Sequence, residues 1–323
     1  MGTFIGIESE INYDRDYTRH YLTDPKIVRE ISIRGGIPIV LPTPITKGMS
    51  SILNICDAFV KLDGSIVVRN EEYVVHGDNP VIGIITTPDY DANRNPQFLA
   101  DPRLIKWVYA CGGTPIIIVP PRDVSYHTQG GPPTMTSDEV EKLNKILDLC
   151  DGFIKPGGYT LTDYHKYIYN YSVENDVPYL GICAGIQLMA FCVEDEPKLM
   201  LNDNQSLHKV KGGAIHPVII TPNSKLFKVL VHGALEPDII PVKSSHIKHI
   251  EGVSKLLIAA LSEDGQVEAL ENPNCTYNLG LQFHPEAYDP YWRHDKNYKY
   301  SKRIFESFID SAKDYKYKKQ NVK

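Results

Sequence analysis

The 323-residue chain is long enough to bury a large core in one big domain or two, and its 42% hydrophobic and 23% charged residues match an ordinary soluble globular protein. A formal charge of −6 speaks against a nucleic-acid or anionic-membrane surface, and no run reaches the roughly 18 apolar residues of a spanning helix. The start lacks a basic-then-apolar signal peptide, and the six cysteines (56, 111, 150, 183, 192, 275) have neither disulfide-framework nor paired-ligand spacing, so a reducing cytoplasm is the expectation.

From the N-terminus, Thr3-Phe4-Ile5-Gly6-Ile7 reads as a strand, and Gly35-Gly36-Ile37-Pro38-Ile39 opens a second apolar run. Both recur 77 residues on, as Val81-Ile82-Gly83-Ile84 and Gly112-Gly113-Thr114-Pro115-Ile116, and Leu22-Thr23-Asp24-Pro25 recurs as Leu99-Ala100-Asp101-Pro102. Residues 4–42 and 81–119 share 12 identities in 39 positions. The likeness resumes at an offset of 94, where 52–61 lines up with 146–155. The 17 additional residues (94 − 77) fall around Arg122 to Val140, where Gly130-Gly131-Pro132-Pro133 is a loop signature. A partial duplication is therefore expected, with residues 1–78 as a degenerate half-repeat and 79–323 as the fuller unit. The first copy reads Lys61-Leu62-Asp63-Gly64 where the second reads Lys155-Pro156-Gly157-Gly158, and Ser65 to Val75 looks like a hairpin leading onward. The front segment is expected to pack as an accessory α/β unit over a face that would otherwise be exposed or used to dimerise.

From Val81 the pattern alternates. Strands are predicted at 81–85, 115–119, 152–155 and 177–182, and helices near 101–111, 138–149, 162–174 and 184–192. Near-continuous apolar strands alternating with helices indicate α/β architecture, a mostly parallel twisted sheet flanked by helices. Later segments at 216–221, 239–243, 256–261, 266–270 and 277–283 are short, β-branched and turn-bounded, as antiparallel additions are. An amphipathic helix near 298–312 presents Ile304, Phe305, Phe308 and Ile309 on one face. The lysines from Lys313 to Lys323 read as a solvated tail. Cys56, Cys111 and Cys150 lie in apolar helix-end contexts and read as core thiols.

Three pieces carry chemistry, each at the end of a predicted strand: Lys155-Pro156-Gly157-Gly158, Gly181-Ile182-Cys183-Ala184-Gly185 and Leu281-Gln282-Phe283-His284-Pro285-Glu286. Strand, tight turn with Cys183 at its tip, then helix is the layout of a nucleophile elbow, and flanking glycines permit the sharp turn. A helix N-terminus favours the thiolate. His284 can hold the thiol proton, Glu286 can orient the imidazole, and Gly157, Gly158 and Ala184 can offer backbone N–H groups to an oxyanion.

These motifs resemble the class I glutamine amidotransferase-like family, and within it the γ-glutamyl hydrolase group that includes γ-glutamyl-γ-aminobutyrate hydrolase. The likeness runs from about Pro80 to Ala312. It includes Val81-Ile82-Gly83-Ile84 as a first strand, His216-Pro217-Val218, Val242-Lys243-Ser244-Ser245-His246, and Glu263-Asp264-Gly265-Gln266-Val267-Glu268-Ala269 ahead of the His-Pro-Glu piece. The resemblance implies a flavodoxin-like catalytic domain over 79–323, a Cys183–His284–Glu286 triad and oxyanion amides from Gly158 and Ala184. Gln187, Ser245 and His246 are the candidates for holding substrate. The sequence departs from the hydrolase pattern in two places. The Tyr159 to Leu180 connection is short, tyrosine-rich and without arginine, and Glu194-Asp195-Glu196-Pro197 replaces an expected Gly-Gly pair.

The expected reaction is hydrolysis of a γ-glutamyl amide in a small-molecule substrate through a thioester on Cys183. Two alternatives stay open: a glutaminase subunit passing ammonia to a partner synthetase, and a catalytically silent binding protein on the same fold. A homodimer is compatible with the reading; nucleic acid, membrane and cofactors are not called for. No metal is expected, because the histidines look scattered and the one close pair, His246 and His249, has no third ligand beside it in sequence.

Overall fold

The apolar runs become strands buried on both faces. The computed structural model describes residues 3–13, 19–22, 25–42, 56–60, 66–68, 79–90, 96–120, 135–158, 162–203, 205–209, 214–230, 238–291, 295 and 297–321. The N-terminal segment comprises β1 (Phe4–Glu8), β2 (Glu10–Tyr13), β3 (Arg19–Leu22), α1 (Pro25–Ile33), β4 (Ile37–Leu41), β5 (Ala58–Val60) and β6 (Ile66–Val68). Next come β7 (Val81–Ile85), β8 (Thr87–Tyr90), β9 (Pro96–Leu99), α2 (Pro102–Ala110), β10 (Thr114–Ile118), α3 (Ser137–Leu147), β11 (Gly152–Lys155), α4 (Asp163–Glu174), β12 (Tyr179–Ile182) and α5 (Ala184–Val193). The remainder is β13 (Lys198–Leu201), α6 (Gln205–His208), β14 (Ala214–Ile220), α7 (Lys225–Leu230), β15 (Ile239–Ser244), β16 (Lys248–Glu251), β17 (Leu257–Ser262), β18 (Val267–Glu271), β19 (Asn278–Leu281), a 3-10 turn at Pro285–Ala287, and α8 (Tyr298–Asn321).

Among the described residues, thirteen strands form one sheet in the order β15-β14-β17-β18-β19-β12-β11-β7-β10-β4-β1-β5-β6. The middle, from β19 to β10, is parallel, and β14, β15, β17 and β18 add antiparallel strands at one side. The central strands β7, β10, β11 and β12 are buried at every position, as strands covered on both faces must be. Two apolar layers result, one on each side of the sheet, holding Trp107, Phe305 and Phe308 in one and Phe153, Tyr169 and Tyr179 in the other.

Adding 77 to the bounds of β1, β2, β3, α1 and β4 gives the bounds of β7, β8, β9, α2 and β10. Pairing is matched too: β1 lies in parallel between β4 and β5, as β7 lies between β10 and β11. The two sets meet where β4 and β10 pair antiparallel, Val40 opposite Ile117.

Helix ends follow local chemistry. Thr136 and Glu139 form a reciprocal capping box at the start of α3, and Asp101 caps α2 ahead of Pro102. Three expectations need adjustment. The strand predicted from 177 starts at Tyr179, after Pro178, which has no N–H to give the ladder. The basic tail is helix: α8 runs to Asn321, with Lys316 donating to the Asn79 carbonyl at 2.8 Å and Lys319 to those of Asp148 and Cys150 at 2.6 and 3.1 Å. The hairpin expected at 65–75 takes the form of β6 pairing antiparallel with β5, while its later part and the Gly130-Gly131 loop lie outside the described residues. No helix among the described residues is long and apolar enough to cross a membrane.

Candidate active site

Cys183 sits between the end of β12 and the first residue of α5, at φ 52° and ψ −102°. A side chain at positive φ is costly, on the order of 1–3 kcal/mol, and persists only where neighbours impose it. The surroundings do so here. The Cys183 N–H bonds the Leu281 carbonyl at 2.7 Å, continuing the β12–β19 pairing, and Ile186, Leu188, Met189 and Ala190 anchor α5 in full burial. Gly185 packs so tightly that a Cβ on it would lie 2.4 Å from the Lys155 carbonyl oxygen, which locks the elbow onto β11. Because the Cys183 amide is already used, the amide beside it that stays available is that of Ala184, the first residue of α5 and without an intrahelical acceptor.

His284 follows β19, its N–H bonding the Lys243 carbonyl at 2.8 Å. The 3-10 turn that starts at Pro285 folds Glu286 back beneath the ring, so His284 Nδ1 meets Glu286 Oε1 at 2.6 Å. Nδ1 donates to that carboxylate, which leaves Nε2 without a hydrogen-bond partner; Cys183 is the other side chain whose proximity acts on the imidazole. Burial alone would lower the His284 pKa, but the Glu286 charge and then Cys183 outweigh it and hold the imidazolium well above the usual histidine range. Glu286 is itself buried, with Arg103 3.8 Å from Oε1, and Arg103 is gripped by Asp101 at 2.6 Å.

The loop after β11 closes over this pair. A Cβ on Gly157 would lie 3.1 Å from His284 Cε1 and 3.8 Å from Cys183 Sγ, so the three groups are immediate neighbours. Gly158 has φ 151°, and a Cβ there would strike Thr87 Cγ2 at 2.4 Å. Thr87 also fixes the loop by donating its hydroxyl to the Gly157 carbonyl at 3.1 Å.

Two groups escaped the sequence reading. Lys155 is fully buried, its Nζ donating to the Pro156 carbonyl at 2.9 Å and lying 3.4 Å from the Thr87 hydroxyl. Burial pushes its pKa down to about 7, against the pull of Cys183. His165 donates Nε2–H to the Thr86 carbonyl at 2.9 Å and accepts from the Thr162 N–H at Nδ1, bracing the same loop. Burial first, and Lys155 second, hold it well below the usual histidine range, as a neutral ring. The lysine was visible in the motif, but its burial was not.

Of the residues proposed to hold substrate, Gln187 is half-buried on α5, 3.4 Å from Gln282 Oε1. Ser245 is exposed at the end of β15, and the His246 ring turns inward to 3.3 Å from Glu268. The histidines are not scattered in space: His208, His216 and His246 converge on Glu268. Strands β14, β15 and β18 and the short α6 bring together residues up to 60 positions apart, which no local spacing could reveal.

Residues 162–286, a stretch that takes in Cys183, His284 and Glu286, match the family described as Peptidase C26. The same region is similar to class I glutamine amidotransferase-like proteins. A CTP synthase of Methanopyrus kandleri is 32% identical over 180 residues, covering 47% of this chain and 33% of that protein. A glutamine amidotransferase-like protein of Rickettsia prowazekii is 25% identical over 280 residues, covering 65% of this chain and 92% of that protein. Among solved structures, the glutaminase domain of Trypanosoma brucei CTPS with bound acivicin is similar at 20% identity over 72% of this chain and 93% of that chain, with a TM-score of 0.48. The chain spans about a third of the length of the CTP synthases it matches.

Proposed function

We propose that this amidotransferase-like chain is a cysteine-dependent hydrolase that cleaves the γ-glutamyl amide bond of a small substrate. One observation carries the reading: His284 Nδ1 meets the Glu286 carboxylate at 2.6 Å, Nε2 has no hydrogen-bond partner, and the imidazole shares the Gly157 corner with Cys183, the residue held at positive φ on the elbow. The thiolate attacks the amide carbonyl, and the resulting oxyanion is held by amides of the Gly157-Gly158 loop and Ala184. Each such donor lowers the barrier by about 2.7–4 kcal/mol. Imidazolium His284 gives its proton to the leaving amine, which departs and leaves a thioester. His284 then takes a proton from water, hydroxide adds to the thioester, and the acid leaves as the thiolate re-forms.

A second reading is supported by the stretch shared with CTP synthases: a glutaminase whose ammonia passes to a partner synthetase. The Rickettsia relative, covered over 92% of its length by this chain, shows the shared region without a synthase-sized extension. Assay of glutamine beside a panel of γ-glutamyl amines and peptides separates the two. Hydrolysis of γ-glutamyl amines without added partner is the expected result, and turnover of glutamine alone would favour the ammonia donor. Cys183→Ala should abolish turnover and stoichiometric labelling by a glutamine-like diazo-ketone while leaving the melting temperature intact. Undiminished hydrolysis by that variant would reject both readings.

A further inference from the structure

Away from the cysteine, four buried side chains point at one another with no donor between them. His208 ends α6, His216 lies on β14, His246 follows β15, and Glu268 lies on β18; their exposures are 0, 1, 3 and 0%. Their inward atoms all fall within 4.8 Å of one another. From Glu268 Oε1 the distances are 3.3 Å to His246 Nε2, 3.4 Å to His208 Nδ1 and 3.6 Å to His216 Nε2. Metal–ligand bonds of about 2.0–2.2 Å arranged tetrahedrally put ligand atoms roughly 3.3–3.6 Å apart. Charge-assisted N–H···O bonds are shorter, about 2.7–2.9 Å.

The outward nitrogens decide what the inward ones carry. His208 Nε2 lies 3.1 Å from Asp264 Oδ2, His216 Nδ1 3.1 Å from the Pro217 carbonyl, and His246 Nδ1 3.0 Å from the Lys248 carbonyl. Carboxylate and carbonyl oxygens only accept, so the outward nitrogens of His208 and His216 bear the hydrogen. At His246 Nδ1 the Lys248 carbonyl at 3.0 Å is nearer than the Asn202 amide nitrogen at 3.2 Å, and with the hydrogen there each inward nitrogen presents a lone pair in the neutral ring. His208 Nδ1, His216 Nε2, His246 Nε2 and both Glu268 oxygens accordingly have no hydrogen-bond partner. Three lone pairs facing a carboxylate in full burial repel unless a cation lies among them. Rings anchored outward to a carboxylate or carbonyl are also the usual outer shell of metal-bound histidine.

We propose that His208, His216, His246 and Glu268 form a closed, four-coordinate site for a divalent transition metal, zinc by its ligand set. Three imidazoles and one carboxylate suit a borderline cation, and four protein ligands leave no open position, so the site is structural. Its charge is balanced by Glu268 and, through His208, by Asp264. The metal fastens α6 and the β14–β15 edge to β18. The platform it braces bears on the catalytic side: the Glu268 backbone carbonyl accepts from the Gln282 N–H at 2.8 Å, two residues before His284, and the His284 N–H is held by the Lys243 carbonyl of β15.

The test uses the full chain, stripped with chelator and titrated with zinc and with cobalt(II). Expected results are one metal per chain by elemental analysis, a melting temperature that falls on stripping and recovers with zinc, and four-coordinate cobalt bands without sulfur-to-metal charge transfer. Glu268→Gln should lose these signals. Asp264→Asn, which leaves all four ligands in place, should weaken zinc binding by about 10–100-fold. A wild-type chain with no metal and a melting temperature indifferent to chelator and zinc would overturn the proposal in favour of an imidazolium–carboxylate network. Thiolate-to-cobalt bands, or binding unchanged in Glu268→Gln, would overturn it by assigning the metal to cysteine or to another place.

Discussion

At the scale of single residues, charge around the thiol is set by groups at different distances along the chain. Glu286 raises His284, so the imidazolium persists through neutral pH and is lost only as pH rises through that raised value. Replacing the carboxylate with a neutral amide removes the main raising influence. Glu286→Gln should therefore move the alkaline limb of Cys183 alkylation by iodoacetamide to lower pH, toward the ordinary histidine value near 6.5, and cut turnover by about 10²–10⁴-fold. An unmoved limb would mean that another group governs the proton. Lys155 works in the other direction. Its folded pKa of about 7 lies below its unfolded value of 10.5, so between these two pH values the unfolded chain binds one more proton and stability climbs with pH. Lys155→Met removes that climb. In urea titrations the variant's advantage over the parent should shrink by about 2–3 kcal/mol from pH 7.5 to 9.5, near 1.4 kcal/mol per pH unit. A constant difference would mean that the lysine stays charged.

At the scale of elements, the parts legible in sequence were those governed by local physics. Continuous apolar runs such as Val81–Ile85 and Gly152–Lys155 appear where predicted because burial on both faces leaves no alternation to misread. The elbow was legible because strand, glycine, cysteine, glycine and helix are contiguous. What stayed hidden depends on distant backbone. The end of α8 was lost because its lysines are satisfied by carbonyls more than 160 residues away. Glu194 is similar. It looked like a departure from an expected glycine pair, yet its two oxygens accept from the Ser254, Lys255 and Leu256 N–H groups at 2.8–3.0 Å and from the Ser254 hydroxyl. The exit of α5 is thereby tied to the entry of β17. Burial would raise this carboxyl, but those bonds outweigh it and lower its pKa, so its contribution is present above the ordinary carboxylate range and vanishes as pH falls through the depressed value. Glu194→Ala should destabilise the fold by about 2–3 kcal/mol, since it strips charged acceptors from partly buried N–H groups. Chemical denaturation at neutral pH measures it, and a change under about 0.5 kcal/mol, the range of an ordinary surface site, would deny the tie.

Across the whole molecule, the N-terminal unit meets the rest in a way that repeats itself. Val40 and Ile117 are equivalent positions (40 + 77 = 117), and they face each other across an antiparallel pair. α1 touches β9, and α2 touches β3, which is its equivalent contact. Reciprocal contacts of that kind mark a two-fold arrangement, the geometry of an isologous dimer carried within one chain. β4 of the N-terminal segment lies beside β10 on the side away from β7 and so covers that edge. Without it, β10 would present five buried residues, Thr-Pro-Ile-Ile-Ile, on an open sheet edge, a template for pairing with another chain. Because the lost partner is the equivalent strand of the repeat, a second β10 can take its place with Ile117 opposite Ile117. Residues 79–323 alone should therefore self-associate, with a mass by light scattering that rises from monomer toward dimer with concentration. Placing Asp at 117 in that fragment should block the association. A fragment that stays monomeric, folded and as stable as the full chain would mean that the edge is not held by the N-terminal unit at all.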